Sequence, residues 1–479
     1  MLRRRSTATL VAPLALGLIA AAPAAHAGES TCPADLTLNG TVDFADVLTV
    51  LSGWGSPNGD VDGDGDTDFA DLVPVLASWG TCPDGPSPGW TLVSPRTSTT
   101  TTAIDLDGNV VRSWTGASIP ASFGYLTPDG GLVRPTVANT SNFDGPGAGG
   151  RVQVFRPDGT IDWDFTYADD EVRHHHDVAV MPNGNVLMIA WELRTNAEAI
   201  AAGRQGINSD FWPDTIVEVA PDGDGGGTVV WQWRMWDHLI QDADPARDNF
   251  GVIADHPELI DINLAGINSG GNWSHVNSID YNPELDQIVF SSRAFSEFFV
   301  IDHSTTTEEA AGHTGGASGK GGDILYRWGQ PANYDRGDAS DRYFFVIHGA
   351  NWIQGDLPGS GNILAFNNGD RPGTANDWST VAEIAPPRDA AGDYIIDKGA
   401  AFGPIVPTWE YGDPGQFYGG PVQCGAFRQP NGNTLISINP TGESFEVTTE
   451  GMTVWEYDHP GIVARMPRFW MLGGSFVGP

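Results

Sequence analysis

The chain has 479 residues, and its 61 acidic against 24 basic side chains give a formal net charge of −37. So acidic a protein is not expected to bind nucleic acid or anionic membranes. The length exceeds that of one ordinary domain. Abundant Gly, Pro and Trp, with no long helical periodicity after about residue 80, predict an all-β body of short strands and turns.

Residues 1–27 are predicted to be a secretory signal peptide. Three arginines at positions 3–5 precede an apolar run at 9–22, and residues 25–27, Ala-His-Ala, form a typical cleavage site. The apolar run is too short to span a membrane, and no later stretch approaches the necessary length. We therefore expect a secreted protein, extracellular or periplasmic. Association with the cell surface is compatible with this expectation.

A 25-residue repeat with Ca²⁺-loop spacing follows the predicted signal peptide. In the second copy, DVDGDGDTDFAD, the predicted ligands are Asp60, Asp62, Asp64, Asp66, Asp68 and Asp71. In the first copy, where weaker binding is expected, they are Asp35, Thr37, Asn39, Asp43 and Asp46. An apolar helical stretch follows each loop, at 47–54 and at 72–79. A solvated acidic linker is the alternative interpretation.

This tandem repeat resembles a type I dockerin, a small α-helical, EF-hand-like module, and like it carries Asp rather than Glu at the last loop position. The module is predicted to span residues 28–82, and the resemblance implies calcium as cofactor and a cohesin-type partner. Cys32 and Cys82 bracket it, and a disulfide between them would contribute about 3–4 kcal/mol in the chain-entropy model. Residues 83–89 are predicted to be a linker.

Residues 90–479 contain six segments that each end in a turn and a strand carrying Trp. The six closing tryptophans are Trp114, Trp163, Trp231, Trp328, Trp409 and Trp455. Strands after the last of them are expected to complete the sheet that begins at Trp90. Because a ring closed in this way leaves no open sheet edge, we predict a six-bladed β-propeller preceded by the small helical module. Two stacked β-sandwiches are the alternative.

Histidines begin the predicted innermost strand of three blades, at His176, His275 and His348. Blade repetition would bring them to one mouth of the central channel. Histidine can act there as a nucleophile, as an acid or base, or as one of three ligands to a metal such as Zn²⁺. Arg293 and Arg371 follow nearby strands, and their guanidinium groups suit a sulfate or phosphate oxyanion or a surface ion pair.

The segments HVNSIDYNPELDQIVFSSR, GGDILYRWGQP, and IHGANW with GNILAFNNGDR resemble the arylsulfate sulfotransferases. That family is a six-bladed propeller outside the cytoplasm, which moves a sulfuryl group from a phenolic sulfate ester to a phenol without a nucleotide cofactor. A histidine carries the group covalently, while other histidines and an arginine stabilise charge. The resemblance implies catalytic roles for His275, His348, Arg371 and His176, and substrate contacts for Asn277 and Arg293.

One position departs from the family pattern, because members take their covalent histidine from a late blade. When the chain is aligned on Pro182 and Pro430, Cys424 falls where His176 falls. A free thiol could attack sulfur, but a buried small residue is the simpler interpretation. The alternative function is therefore a non-catalytic propeller that binds a ligand or protein and is tethered by the dockerin-like module. A quinone-dependent dehydrogenase is disfavoured by the six units and the absence of adjacent cysteines.

Overall fold

The structure is a computed structural model. It describes residues 26–27, 34–37, 41–61, 65–77, 79–81, 85–138, 143–223, 225–266, 271–371, 377–459, 461–472 and 474–478. Most of the predicted signal peptide, both cysteines of the predicted disulfide, and three predicted calcium ligands (Asn39, Asp62 and Asp64) lie outside the described residues. No helix in the described ranges is both long and apolar enough to cross a membrane.

Six antiparallel sheets form the predicted propeller. Blade 1 contains Trp90–Val93, Thr100–Ile104 and Val110–Thr115; blade 2 contains Tyr125–Leu126, Leu132–Val137, Gly150–Phe155 and Ile161–Thr166. Blade 3 contains Val172–Val180, Val186–Glu192, Asp214–Pro221 and Gly227–Arg234; blade 4 contains Val276–Asn282, Gln287–Ser292, Glu297–Asp302 and Tyr326–Trp328. Blade 5 contains Ile347–Trp352, Ile363–Asn367, Thr380–Ile384 and Trp409–Tyr411; blade 6 contains Gly425–Arg428, Thr434–Ile438, Glu443–Val447 and Thr453–Asp458, with His26–Ala27 on its outer edge.

The C-terminal strands close the ring. Arg468–Leu472 pairs antiparallel with Trp90–Val93, through the register Arg468 to Thr91 and Phe469 to Trp90, and Ser475–Val477 pairs with its far end. Arg468–Leu472, near the C-terminus, is therefore the inner strand of the blade that begins the propeller. This confirms the predicted closure, which removes the open edge that a linear row of blades would expose.

The closing tryptophans all lie on the outermost strand of a blade, and five of them join that blade to the next one. Each indole N–H donates to an acceptor in the following blade, at distances of 2.7 to 3.1 Å. The pairs are Trp163 with Gly226 O, Trp231 with Thr305 Oγ1, Trp328 with Pro404 O, Trp409 with Thr449 O, and Trp455 with Leu106 O. The repeated Trp is thus explained by bonds between blades as well as by packing.

Apolar residues fill the spaces between neighbouring blades. The space between blades 3 and 4, for example, holds Trp233, Phe290 and Phe299, which are buried within one hydrophobic cluster. The long insertions contain short elements: the helix Asn196–Ala201, the 3₁₀ turns Met235–His238 and Ile253–Asp255, and the parallel pair Leu239–Ile240 and Ile260–Asp261. A helical turn Thr307–Ala310 and a 3₁₀ turn Pro331–Tyr334 complete the set in the described chain.

Two helices lie in the N-terminal repeat, Phe44–Gly53 and Phe69–Ala77, beside the paired strands Thr41–Val42 and Gly80–Thr81. They begin three residues before the predicted apolar stretches. Val47 and Val50 of the first helix and Val75 of the second pack with Val42 in one small hydrophobic cluster. The assignment of this segment as a dockerin-like module, and the domain boundaries at 28, 83 and 90, stay predictions.

Candidate active site

The three predicted channel histidines lie on or beside the inner strands of blades 3, 4 and 5, at places where the strand pairing is irregular. His275 directly precedes its strand and His348 is the second residue of its strand, whereas His176 lies in the middle of Val172–Val180 and not at its start as predicted. The register shifts between His174 and Val178, between Val276 and Ser278, and between His348 and Asn351. Bulges of this kind re-aim a side chain. His176 and His275 also have left-handed backbones, with φ of 55° and 50°, a conformation that costs non-glycine residues about 1–3 kcal/mol and is held only by the surrounding structure.

These bulges bring the histidines together. The ring centroids of His176 and His275 are 4.6 Å apart and the ring planes meet at 80°. His348 lies close enough that its charge would lower the pKa of both rings. All three side chains are about 2% exposed. The ring of His176 also packs against Gly147, where an added Cβ would lie 2.2 Å from Nε2, so only glycine leaves room for it.

Asp214 and His175 lie in a row behind His176. One carboxylate oxygen of Asp214 lies 2.7 Å from Nε2 of His175, and the other accepts from the amide of Val276 at 3.0 Å. His175, held flat against Trp191 at 4.0 Å, lies with its Nδ1 2.8 Å from Nδ1 of His176. No hydrogen bond joins Nε2 of His175 to Asp214 in the described chain. The contact between the two Nδ1 atoms needs one ring to donate and the other to accept, and it is compatible with either assignment.

The other two rings also make contacts through Nδ1. Nδ1 of His348 donates to Oδ1 of Asn368 at 2.6 Å, and the same amide donates to Gly420 O at 2.6 Å, which fixes its orientation. His348 therefore carries its lone pair on Nε2. Nδ1 of His275 lies 3.0 Å from the amide nitrogen and 3.3 Å from the amide oxygen of Asn272, so these contacts are compatible with either tautomer. His348 is thus the ring whose Nε2 lone pair the contacts assign.

Burial keeps the three rings neutral. Loss of hydration lowers the pKa of His348 to about 3 and lowers the pKa values of His176 and His275 well below their ordinary value. Neighbouring histidines and arginines act in the same direction as this desolvation. At neutral pH the cluster therefore offers unprotonated imidazoles, which are nucleophiles and bases rather than acids.

Arg465 supplies a buried positive charge beside the cluster. Its guanidinium donates to Cys424 O at 3.1 Å, to Asn277 O at 2.9 Å and to the carboxylate of Asp177 at 3.0 Å. Sequence reasoning did not select this residue, because its segment was used only to close the ring. It does stand just before an inner strand, as His275 does, and the same positional rule would have found it.

Arg293 is the second charge near the histidines. Among the described residues, its guanidinium donates to Pro421 O, at 3.3 and 3.4 Å. Its charge lowers the pKa of His275 and of His348. Because these bonds are long ones to a single carbonyl, Arg293 retains donors for an anion. This placement is consistent with the predicted contact to substrate.

The profile of the family described as Arylsulfotransferase (ASST) matches residues 95–459, which is most of the chain. The chain belongs to the arylsulfotransferase family. No curated protein matches it. Among solved structures it is similar to a protein of unknown function from Bacteroides caccae, at 12% identity and a TM-score of 0.42, over 79% of this chain and 98% of that one.

Two lyase structures are also similar to this arylsulfotransferase-family chain. A streptogramin B lyase has 9% identity and a TM-score of 0.36, covering 81% of this chain and 88% of the other. Virginiamycin B lyase from Staphylococcus aureus has 11% identity and a TM-score of 0.35, covering 79% and 85%. Because all three TM-scores are low, these similarities do not indicate a function.

Two residues predicted from the family pattern lie in other surroundings. The guanidinium of Arg371 donates to Gly369 O and Trp378 O, at 3.0 and 2.8 Å, and stacks on the Trp378 ring at 3.4 Å. The structure therefore does not bring it to the histidines, and its catalytic role stays a prediction. The amide of Asn277 donates to Ile347 O at 2.8 Å and accepts from Ser291 at 2.7 Å. These bonds favour a structural role that joins blades 4 and 5.

Cys424, which stands where the family pattern leads one to expect histidine, is fully buried. Its sulfur lies 3.3 Å from Gly419 O and from Val422 O, and burial raises the pKa of its thiol to about 12. A thiol that stays protonated is a poor nucleophile. The geometry therefore supports the interpretation as a buried small residue and leaves nucleophilic chemistry to the imidazoles.

The three channel histidines do not bring their ligand nitrogens close enough together to share one metal ion. Within the described ranges, one set of three His, Cys, Asp or Glu ligand atoms lies within 4.8 Å of one another, and it consists of His238, His313 and Asp323. The alternative of Zn²⁺ held by the three channel histidines is therefore not favoured by the geometry.

The last carboxylate of each N-terminal loop is buried and organises that loop. Asp46 accepts from the amides of Thr37 and Asp43, at 2.9 and 2.8 Å. Asp71 accepts from the amides of Val61 and Asp68, at 2.6 and 2.7 Å. The described parts of the two loops thus make the same pair of contacts to their last carboxylate, and calcium binding by these loops stays a prediction.

Proposed function

We propose that this chain transfers a sulfuryl group from a phenolic sulfate ester to a phenol through a covalent histidine in the channel. The observation that carries the proposal is the cluster of three neutral histidines, each contacted at Nδ1 and flanked by Arg293 and Arg465. Membership of the arylsulfotransferase family supports the reaction class. The substrates and the covalent step are our proposal.

We assign the nucleophile to His348. Its Nδ1–H bond to Asn368 places the lone pair on Nε2, and its pKa of about 3 keeps that nitrogen unprotonated. Attack of Nε2 on sulfur forms an N–S bond and breaks the S–O bond to the phenol, which leaves as phenolate. Phenolate takes a proton from water, so no protein acid is needed. The Asn368 carbonyl stabilises the positive charge that develops on the ring.

The second half-reaction needs a base, and we assign that role to His176, which lies beside His275 in the cluster and whose lowered pKa keeps it unprotonated. Its ring takes the proton of the acceptor phenol, and the Asp214 carboxylate behind His175 favours the positive charge that forms. The acceptor oxygen then attacks sulfur, the N–S bond breaks and His348 is regenerated neutral. His176 gives its proton to the hydroxide left when water protonated the phenolate of the first step, so that protons balance over the cycle.

The remaining polar side chains stabilise the negative charge on the transferred group. The sulfuryl oxygens are anionic throughout, and Arg293 and Arg465 are the positive groups that lower the pKa of His348. In the tautomer that accepts from the Asn272 amide at Nδ1, His275 has its proton on Nε2, and this N–H would be a neutral donor to the leaving oxygen. Donors fixed in advance in a buried site stabilise developing charge without reorganisation.

Mass spectrometry after incubation with 4-nitrophenyl sulfate tests the proposal. We expect sulfate on the peptide that contains His348, its loss when phenol is added, and release of sulfated phenol. His348→Ala should abolish both, whereas His459→Gln, which changes a peripheral histidine, should not. An adduct on another residue would contradict the assignment of His348. Absence of any transfer by the native protein would overturn the reaction class.

A non-catalytic propeller is the second candidate, and the buried Cys424 at the late-blade position favours it. If this candidate is correct, the protein will bind 4-nitrophenyl sulfate at the histidine cluster but will not turn it over. Calorimetric titration combined with the transfer assay separates the two candidates, since binding without transfer supports only the second.

We further propose that the N-terminal repeat binds two Ca²⁺ ions, the second loop more tightly than the first, and that the protein is secreted after cleavage behind Ala27. Asp71→Asn should remove the tighter calcium equivalent and Asp46→Asn the weaker one in calorimetric titrations. A cohesin-type partner stays a prediction. Phe44 and Phe69, which are exposed at equivalent positions of the two helices, are available to contact such a partner.

A further inference from the structure

A second histidine cluster lies away from the channel, between the insertion that follows blade 3 and the glycine-rich loop at 312–322. His238 ends the 3₁₀ turn Met235–His238 and is fully buried. His313 stands on the loop with its side chain 60% exposed, and the Asp323 side chain is 9% exposed. Nδ1 of His238 and Nδ1 of His313 lie 2.9 and 2.7 Å from the same oxygen, Oδ1 of Asp323.

The hydrogen bonds of His238 require a positive charge between this ring and the Asp323 carboxylate. Its Nε2 lies 2.8 Å from Ala310 O, a group that can only accept, so Nε2 carries a proton. A neutral His238 then directs the lone pair of Nδ1 at a carboxylate oxygen, which repels it. A positive charge between the nitrogen and the oxygen removes this repulsion. That charge is either a proton on the ring or a metal ion shared by all three groups.

The surroundings favour a metal ion. A metal-bound histidine usually donates its other N–H to a carbonyl, as His238 does to Ala310. Its ring is also held parallel to Trp233, at 5.6 Å and 4°, and so cannot turn away. At Gly322 an added Cβ would lie 2.0 Å from Ala310 O and 2.7 Å from Nε2 of His238. The loop therefore approaches the ring as closely as only glycine permits.

We propose that His238, His313 and Asp323 bind a divalent transition-metal ion of the zinc class, with water as a fourth ligand. Two imidazole nitrogens and one carboxylate form a common ligand set for Zn²⁺. Ligands about 2.0–2.1 Å from a tetrahedral ion stand roughly 3.3 Å apart, so the present contacts must open by about half an ångström. His313 is exposed on a glycine-rich loop and can make that adjustment. The ion would pin this loop to the insertion after blade 3.

Cobalt binding tests this site, because Co²⁺ replaces zinc and absorbs visible light in a way that reports its coordination. The chelator-treated full-length protein is titrated with Co²⁺ in excess Ca²⁺, which saturates the N-terminal loops. We expect one equivalent with a tetrahedral spectrum, displaced by Zn²⁺. His313→Gln, which changes an exposed residue and should not disturb folding, should weaken binding by more than about 100-fold, the upper end of the effect of losing a second-shell partner. Asp323→Asn should do the same.

His256→Gln is the matched control, because His256 also has Nδ1 2.8 Å from a carboxylate, that of Glu258, but in the described part of the chain no second histidine joins this pair. This variant should bind Co²⁺ as the native protein does. Cobalt bound equally well by His313→Gln would overturn the proposal, and so would the absence of binding by the native protein. The latter result would mean that a proton on His238 supplies the charge.

Discussion

Arg465 and Asp177 form a buried ion pair although 288 residues separate them, with Nη1 3.0 Å from Oδ2. A small cavity of about 10 Å³ beside them is lined by inner-strand residues of blades 2 to 6 and by Arg465, which precedes the inner strand of blade 1. The same guanidinium bonds to carbonyls of blades 4 and 6. The pair therefore holds the inner strands together close to His176 and His348, whose pKa values Arg465 lowers.

Arg465→Met is expected to destabilise the protein by about 3–5 kcal/mol, because it leaves the Asp177 carboxylate buried without its partner. Burial already raises the pKa of Asp177 despite Arg465. Urea unfolding near neutral pH measures the loss. Arg151→Met is the control, since the Arg151–Asp164 pair is partly exposed and should cost at most about 1 kcal/mol. Equal costs for the two variants would contradict this account.

The propeller was predictable because its repeat is visible in the chain. Each closing Trp marks an outer strand, and the residues before each opening turn mark an inner one, so the approach of His176, His275 and His348 followed from equivalence alone. Arg371 shows the limit of this reasoning. Nearness in sequence to a strand end gives no side-chain direction, and the loop turns its guanidinium onto Trp378. The close approach of Asp214 to His175 depends on contacts between neighbouring strands, which no spacing reveals.

Trp455→Phe and Trp114→Phe separate the hydrogen bond between blades from packing. Both indoles are buried, at 1% and 0% exposure. Trp455 donates to Leu106 O at 2.7 Å, whereas Nε1 of Trp114 has no partner in the described chain. Both variants lose similar apolar area, but only Trp455→Phe leaves a carbonyl without its donor. It should cost roughly 1 kcal/mol more in urea unfolding. A larger loss for Trp114→Phe would argue against the bonding role of the tryptophans.

Alkylation of thiols tests both Cys424 and the predicted disulfide. Burial and a thiol pKa of about 12 should protect Cys424 from iodoacetamide in the native protein. After denaturation without reductant, mass spectrometry should find one alkylated cysteine, and after reduction three. Rapid native labelling of Cys424 would show that its thiol is accessible. Three reactive thiols before reduction would show that Cys32 and Cys82 are not bonded.

Asp280→Asn should change how stability depends on pH. Burial raises the pKa of Asp280 to about 7. Its contribution to stability is therefore fully present below its unfolded pKa, near 3.8, and is lost as pH rises towards 7. Asparagine does not titrate, so the variant should gain on the native protein by up to about 1.4 kcal/mol per pH unit in this window. Parallel stability curves between about pH 4 and pH 7 would show that Asp280 is ionised in the folded protein.

The pH dependence of transfer should follow the low pKa of the proposed nucleophile. An exposed histidine would be protonated progressively below its ordinary pKa of 6.5, and kcat/KM would fall tenfold per pH unit there. Because burial lowers the pKa of His348 to about 3, its Nε2 stays unprotonated, and 4-nitrophenyl sulfate is a monoanion throughout the range. We therefore expect kcat/KM for this donor to stay level from about pH 8 down to about pH 5. A decline with an apparent pKa near 6.5 would place the nucleophile on a hydrated histidine outside the buried cluster.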